Sequence, residues 1–340
     1  MITRIWSGTS RLYFLLLPFS LIYGLITSII RFSYRRGWFK VHRFPLPIVV
    51  IGNLTVGGNG KTPLVLWLVT QLQHHGFRVG VVSRGYGGRA VNYPLLLDEK
   101  TTSDQSGDEP LLIWQRLGSP VAVAPQRAKA VAALLHAHNL DIVVSDDGLQ
   151  HYALGRDIEW VVIDGEYRFG NGWWLPAGPM RERISRLKTV QAVIINGGET
   201  QSNSEISMHL SAGTAINLLS GERRSLVNLT PIVAIAGIGH PLRFFVTIRK
   251  SGAEPIREVA FNDHQIYQKQ MFDKLVSSEE QLLMTEKDAV KCRNFARANW
   301  WYLPVNAQLS HYAKEKLLTP ILQIIRKFQL LSDKKANIQN

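Results

Sequence analysis

Runs of consecutive Val and Ile recur along the chain at 48–52, 79–83, 121–124, 142–145, 160–163 and 192–195. Between them, apolar residues spaced three and four apart predict helices over 63–75, 108–117 and 126–138. Strands that are apolar throughout, with helices between them, predict a parallel sheet covered on both faces, hence a doubly wound α/β domain. Ligands of such a domain sit at the carboxyl ends of its strands. Residues 199–230 turn to Ser, Asn, Gly and Thr, lose apolar periodicity and read as a crossing between domains. A second alternation follows: strands at 232–236, 256–261, 282–285 and 300–304, with helices over 240–251, 265–277 and 286–297. The expected division is an N-terminal helix (1–35), a nucleotide-type domain (36–200), a crossing (201–230), a smaller α/β domain (231–330) and a frayed polar tail (331–340).

The first predicted strand leads into Thr55-Val56-Gly57-Gly58-Asn59-Gly60-Lys61-Thr62, and a helix follows. Strand, glycine-rich loop, Lys-Thr and helix are the parts of a phosphate-binding loop. Glycines let successive N–H groups point at phosphate oxygens, and the helix adds the positive end of its dipole. Lys61 suits the β- and γ-phosphates, and the Thr62 hydroxyl suits a magnesium ion. The first domain is therefore expected to be a P-loop NTPase-like sheet, with Thr55 where the general pattern has its first glycine.

Residues 12–30 contain no charge and are bounded by Arg11 and Arg31. At about 1.5 Å per residue they just span a hydrocarbon core. A spanning helix, an in-plane interfacial helix and a buried core helix all fit that length. Five basic residues (Arg31, Arg35, Arg36, Lys40, Arg43) follow the run and two precede it, which puts its C-terminal side in the cytoplasm. The net charge of +13 is concentrated here: no Asp or Glu occurs before Asp98, while eleven Lys or Arg do. Basic residues crowded round an apolar run point to anionic lipid and away from nucleic acid, whose binding surfaces interleave cations with stacking aromatics. Apolar content of 46% and 19% charge exclude a disordered chain, and Cys292, alone, excludes disulfides and cysteine-built metal clusters.

Ile142-Val143-Val144-Ser145-Asp146-Asp147 is a strand ending in carboxylates, which a phosphate-loop enzyme uses to hold magnesium; Asp146 and Asp147 are both candidates. Arg84 lies among glycines after the second strand, where an anion could bind. Asp108 opens a predicted helix, as a cap or as a general base near the nucleotide. The Gly-, Pro- and Trp-rich stretch 164–187, with Asn171 and Arg181, reads as a shaped surface for an anionic substrate. Asp263 and His264 precede a second-domain helix and form a proton-transfer pair if the domains close. Two other classes compete with a kinase. A membrane-tethered nucleotide switch would carry Asn-Lys-x-Asp, which is missing, and a nucleic-acid-dependent ATPase would spread its basic residues over the nucleotide domain.

Together these segments resemble the tetraacyldisaccharide 4′-kinases, the lipid A kinases of Gram-negative bacteria. The resemblance is carried by GNLTVGGNGKTP (52–63), VVSRGYGG (81–88), GDEP (107–110), SDDGLQH (145–151), FGNGWWLPAGPMRE (169–182), AGIGHP (236–241) and MTEKDAVK (284–291). It implies ATP- and Mg²⁺-dependent phosphorylation of the 4′-hydroxyl of a lipid A disaccharide 1-phosphate, giving lipid IVA and ADP. It further implies a monomer among inner-membrane phospholipids, with its catalytic domains on the cytoplasmic face and nucleotide closed between them. An Asp–His pair that assists the hydroxyl falls on Asp108 and His264, with Lys61 at the phosphates. The family usually reads Pro-Asp-His-His where this chain has Asn262-Asp263-His264-Gln265, so its second histidine is replaced.

Overall fold

The computed structural model describes residues 2–339. The chain begins with helices α1 (Ile2–Trp6) and α2 (Tyr13–Arg35). It continues through β1 (Ile48–Gly52), α3 (Lys61–His74), β2 (Val79–Ser83), β3 (Leu95–Leu96), α4 (Ser103–Ser106) and α5 (Asp108–Leu117). Next come β4 (Val121–Val123), α6 (Arg127–Ala137), β5 (Ile142–Asp146), β6 (Ile158–Asp164), β7 (Ala192–Asn196) and β8 (Glu205–Ala212). The second sheet is built from β9 (Ala215–Asn217), β10 (Arg223–Arg224), β11 (Ile232–Ala236), β12 (Arg257–Ala260), β13 (Gln281–Thr285) and β14 (Trp300–Leu303). Its helices are α7 (Pro241–Lys250), α8 (Lys269–Asp273) and α9 (Glu286–Cys292), and the chain closes with β15 (Val305–Gln308) and α10 (His311–Gln339).

The large sheet runs β15-β8-β7-β6-β1-β5-β2-β4-β3, parallel except for its edge strands β15 and β3. Strand β1 shows why its apolar run is continuous: Val49 and Ile51 enter one buried cluster with α3, α5 and α10. Ile48 and Val50 enter the opposite cluster with α6. The second sheet runs β10-β9-β14-β13-β11-β12, with β11 to β14 parallel. In the first sheet β1 lies between β5 and β6, so the loop after β1 and the acids after β5 emerge side by side.

Residues 199–230, expected as a crossing between domains, carry ordered strands: β8 pairs in parallel with β7, and β9 already belongs to the second sheet. Exposed positions alternate along β8, so the segment lacks a continuous apolar run. The second domain does not keep the chain to residue 330: β15 pairs with β8, and Leu317, Ile321 and Ile325 of α10 are buried in the first domain's core. The polar segment from 331 continues α10 instead of fraying, as far as Gln339.

Helix α2 has two unlike sides. Ser20, Gly24 and Ser33 are buried against the body, while Leu15, Phe19, Leu25 and Ile29 are exposed. Ser20 donates to the Trp174 carbonyl at 2.7 Å, and Gly24 packs so closely on the Trp174 indole that a side chain there would collide with it. This is the one described helix long and apolar enough to cross a membrane.

Candidate active site

The phosphate loop fills the turn from β1 into α3. Gly60, at the helix cap, is left-handed (φ 87°), and a Cβ there would strike the Asn196 amide. That amide, at the end of β7, donates to the Asn59 carbonyl at 3.2 Å. Thr55 does what a glycine could not: its buried hydroxyl accepts from the Asn59 side chain at 2.9 Å and braces the loop internally. On the outside, Val56 N–H donates to the Pro179 carbonyl at 2.9 Å and Arg181 N–H to the Leu54 carbonyl at 2.6 Å. The Trp174 that receives α2 is thus part of the same loop that zips onto the phosphate loop. The segment 174–181 therefore joins the apolar helix to the phosphate loop through hydrogen bonds and packing at its two ends.

Asp146 ends β5, beside Ile51 in register. It is fully buried, and neither carboxylate oxygen receives a hydrogen bond. Burial, then repulsion from Glu109 and Asp147, lifts its carboxyl to about 7 against the pull of Lys61 and Arg127. Asp147 differs. Arg181 holds both its oxygens at 3.1 Å and Lys61 lies at 3.6 Å. Burial pushes its carboxyl up, but Lys61, Arg181 and Arg127 outweigh that and hold it below the ordinary range.

The second domain closes over this edge. His264 Nδ1 lies 3.2 Å from Asp108 Oδ2, although 156 residues separate them. Lys291 Nζ lies 3.4 Å from the same oxygen, and Lys287 Nζ 3.4 Å from Glu109 Oε1. Lys287 and Lys291 are four apart on α9 and so share its face, which meets the first turn of α5. Asp108 sits in that first turn without making a side-chain cap bond, so its carboxylate is free for these contacts. On the other side of the cleft Arg243 grips Asp164 and Glu166, and His240 stacks on Tyr167 at 4.9 Å. Burial opposes ionisation of Asp164, yet Arg243 and backbone donors hold its carboxyl below the ordinary range.

Between the domains lies a cavity of about 560 Å³. It is lined by the phosphate loop with Asp147 and Arg181, by the apolar Leu66, Leu210, Phe244 and Leu303, and by His264 and Lys287. The predicted residues 56–62 all line it, as do Arg181, Asp147 and His264. Thr55, Asp146 and Asp108 are not among its lining residues; behind it, Thr55 bonds to Asn59 and Asp108 pairs with His264. Arg84 is exposed and lies near the buried Arg127 and His151. Burial, with these neighbouring cations, pushes His151 down to about 4. Burial, with Arg84 adding to it, lowers Arg127 to about 10.

Asn171 is not brought to the cavity. Its amide donates to the Ile5 and Ala177 carbonyls at 3.0 and 2.8 Å, and its oxygen accepts from Trp173 N–H at 3.1 Å. Both amide hydrogens are thus used, one to Ile5 of α1 and one within the loop. Arg243 is an ionic partner that sequence reasoning did not single out. Lys287 and Lys291 fall in Thr285–Lys291, which the sequence marks as a helix start with its charges on one face, as fit for a solvated face as for a nucleotide contact; Thr285 does cap that helix.

The model of the tetraacyldisaccharide-1-P 4′-kinase family (LpxK) matches residues 12–324. The crystal structure of the "apo" form of LpxK from Aquifex aeolicus in complex with ATP is similar at 26% identity and a TM-score of 0.79, covering 93% of this chain and 100% of that one. The signal recognition particle receptor FtsY from Elizabethkingia anophelis aligns over 46% of this chain and 52% of its own, at 17% identity and a TM-score of 0.29.

Proposed function

This chain belongs to the tetraacyldisaccharide-1-P 4′-kinase family, and from that premise we propose that it transfers the γ-phosphoryl group of ATP to the 4′-hydroxyl of a tetraacylated glucosamine disaccharide 1-phosphate. The observation that carries the reading is the meeting of Asp108 and His264, from different domains, beside a phosphate loop. Neither domain alone has the base and its partner. The Aquifex relative holds ATP, and the 560 Å³ cavity here is lined by both the phosphate loop and apolar side chains, as suits a nucleotide.

The triphosphate lies on the N–H groups of residues 56–62, with Lys61 at the transferred group. The base rests on Leu66, Leu210 and Phe244. The acceptor hydroxyl gives its proton to Asp108 as its oxygen bonds to the γ-phosphorus. The bond from that phosphorus to the β,γ-bridging oxygen breaks, and ADP leaves with the electron pair. Mg²⁺ fits the residues present. Asp146 offers two buried oxygens without donors, which a divalent cation would satisfy. Asp146 and Thr62 would hold the ion, with Asp147, already committed to Arg181 and Lys61, behind them. Bound there, the ion neutralises charge on the β- and γ-phosphates.

The acceptor's acyl chains stay in lipid beside α2. That helix touches the body from Ser20 to Tyr34, so its apolar side faces the membrane while its small residues face Trp174. The flanking arginines meet anionic headgroups on the cytoplasmic face of the inner membrane. Arg84 and Arg181 take the substrate's negative charge. ADP formation is the test: it should depend on added lipid disaccharide, whereas a nucleotide switch would release ADP at the same rate without acceptor.

A further inference from the structure

One oxygen of Asp108 faces two nitrogen groups, His264 within hydrogen-bond reach and the Lys291 ammonium as an ion pair. His264 Nδ1 lies 3.2 Å from Oδ2 and Lys291 Nζ 3.4 Å from it, while no donor among the described residues reaches Oδ1. Lys291 is the more firmly placed of the two. Its side chain is 6% exposed, and its ammonium also lies 3.1 Å from Asp288 Oδ1 and over the Tyr267 ring at 5.2 Å. Asp288 is itself fully buried and anchored: Gly237 N–H, the Tyr267 hydroxyl and the Thr285 hydroxyl donate to it at 2.9, 3.1 and 2.7 Å. The anchor belongs wholly to the second domain, and only Asp108 belongs to the first. A lysine closed between two carboxylates and nearly out of solvent has no free face for a phosphate, which excludes the reading of Lys291 as a substrate-anion receptor.

We propose that Lys291 is the positioning residue of the base. Paired to Oδ2 beside His264, it fixes the carboxylate so that Oδ1 is left for the acceptor hydroxyl. The inference rests on the phosphoryl-transfer reading above and adds a consequence: the base is assembled only when the second domain is seated. The groups that bear on Asp108 are Glu109 on its own helix, Asp263 and His264 before α8, Tyr267, and Lys287, Asp288 and Lys291 on or at α9. Of these only His264 and Lys291 lie within 4 Å of its carboxylate.

The test is steady-state transfer, with ATP and a lipid disaccharide acceptor, for the full-length wild type and for Lys291→Met and Lys291→Arg. Lys291→Met should lower turnover by about tenfold or more, since it releases the carboxylate from its place. The KM for ATP should stay within about twofold, because the phosphate loop is untouched. Lys291→Arg, which keeps the cation, should recover most of the lost turnover. Where thermal melting shows that Lys291→Met does not fold, Lys291→Gln, which keeps a donor without the charge, carries the same test. Wild-type turnover in Lys291→Met, a rise in the KM for ATP that matches the loss of turnover, or Lys291→Arg no more active than Lys291→Met overturns the inference. A wild type that transfers nothing to the acceptor overturns the proposed function and this inference with it.

Discussion

Asp108→Asn isolates the base from the architecture. The amide keeps the shape of the side chain in the first turn of α5 and removes its charge and its basicity. A positioned general base contributes about 10²- to 10⁴-fold to turnover, or about 2.7 to 5.5 kcal/mol of barrier. ATP affinity should change by less than about threefold, since the phosphate loop is held by Thr55, Asn196 and Pro179 and not by Asp108. The fold pays a smaller cost. Lys291, 6% exposed, loses one of its two carboxylates but keeps Asp288, and removing one partner of such a pair costs about 1–3 kcal/mol. Steady-state transfer measured against both substrates, with a thermal melt of each protein, separates these effects. Turnover within tenfold of wild type, in a protein that still melts cooperatively, would remove Asp108 from the chemistry. A matched loss in ATP affinity would move it to the nucleotide site.

Gly60→Ala should lower ATP affinity by more than tenfold and stability by about 1–3 kcal/mol, read by titration calorimetry and melting, because it combines a left-handed backbone with a collision at Asn196. Thermal stabilisation by Mg²⁺ should be larger at pH 8 than at pH 6. Burial raises the folded Asp146 carboxyl to about 7, so without metal its contribution to stability is present at low pH and lost as pH rises through about 7, where the ion takes the proton's place; a metal effect that shrinks from pH 6 to pH 8 contradicts that assignment. Arg243→Ala removes the ion pairs to Asp164 and Glu166 and should raise the KM for ATP severalfold through looser seating of the second domain, with little change in turnover at saturation; an unchanged KM would show that the α5–α9 contacts hold the domains unaided.

The parallel sheet was legible because β1, β2 and β5 are buried on both faces, which their runs of Val and Ile satisfy without a polar alternation. Strand β8 was not, because exposed polar residues interrupt its apolar positions near the sheet's edge. The return of β15 and α10 to the first domain was hidden for another reason: an amphipathic helix declares that it has a core to face, not which one. At the site, Asp146 and Lys61 are local to their motifs and could be read there. That Asp108 and His264 meet at all followed only from the family resemblance or the tertiary fold, and Lys291 required the fold. Asn171 shows the converse limit, since a polar residue in a Gly- and Pro-rich loop is as readily spent on holding the loop as on holding a ligand.

The account stands most directly on where the phosphoryl group goes. Purified protein, ATP, Mg²⁺ and a tetraacylated disaccharide 1-phosphate in mixed micelles should yield one ADP for each lipid that gains a single phosphate, with fragmentation mass spectrometry placing that phosphate on the 4′-oxygen. ADP released while the glycolipid keeps its mass, or a phosphate found at any other position, would contradict it.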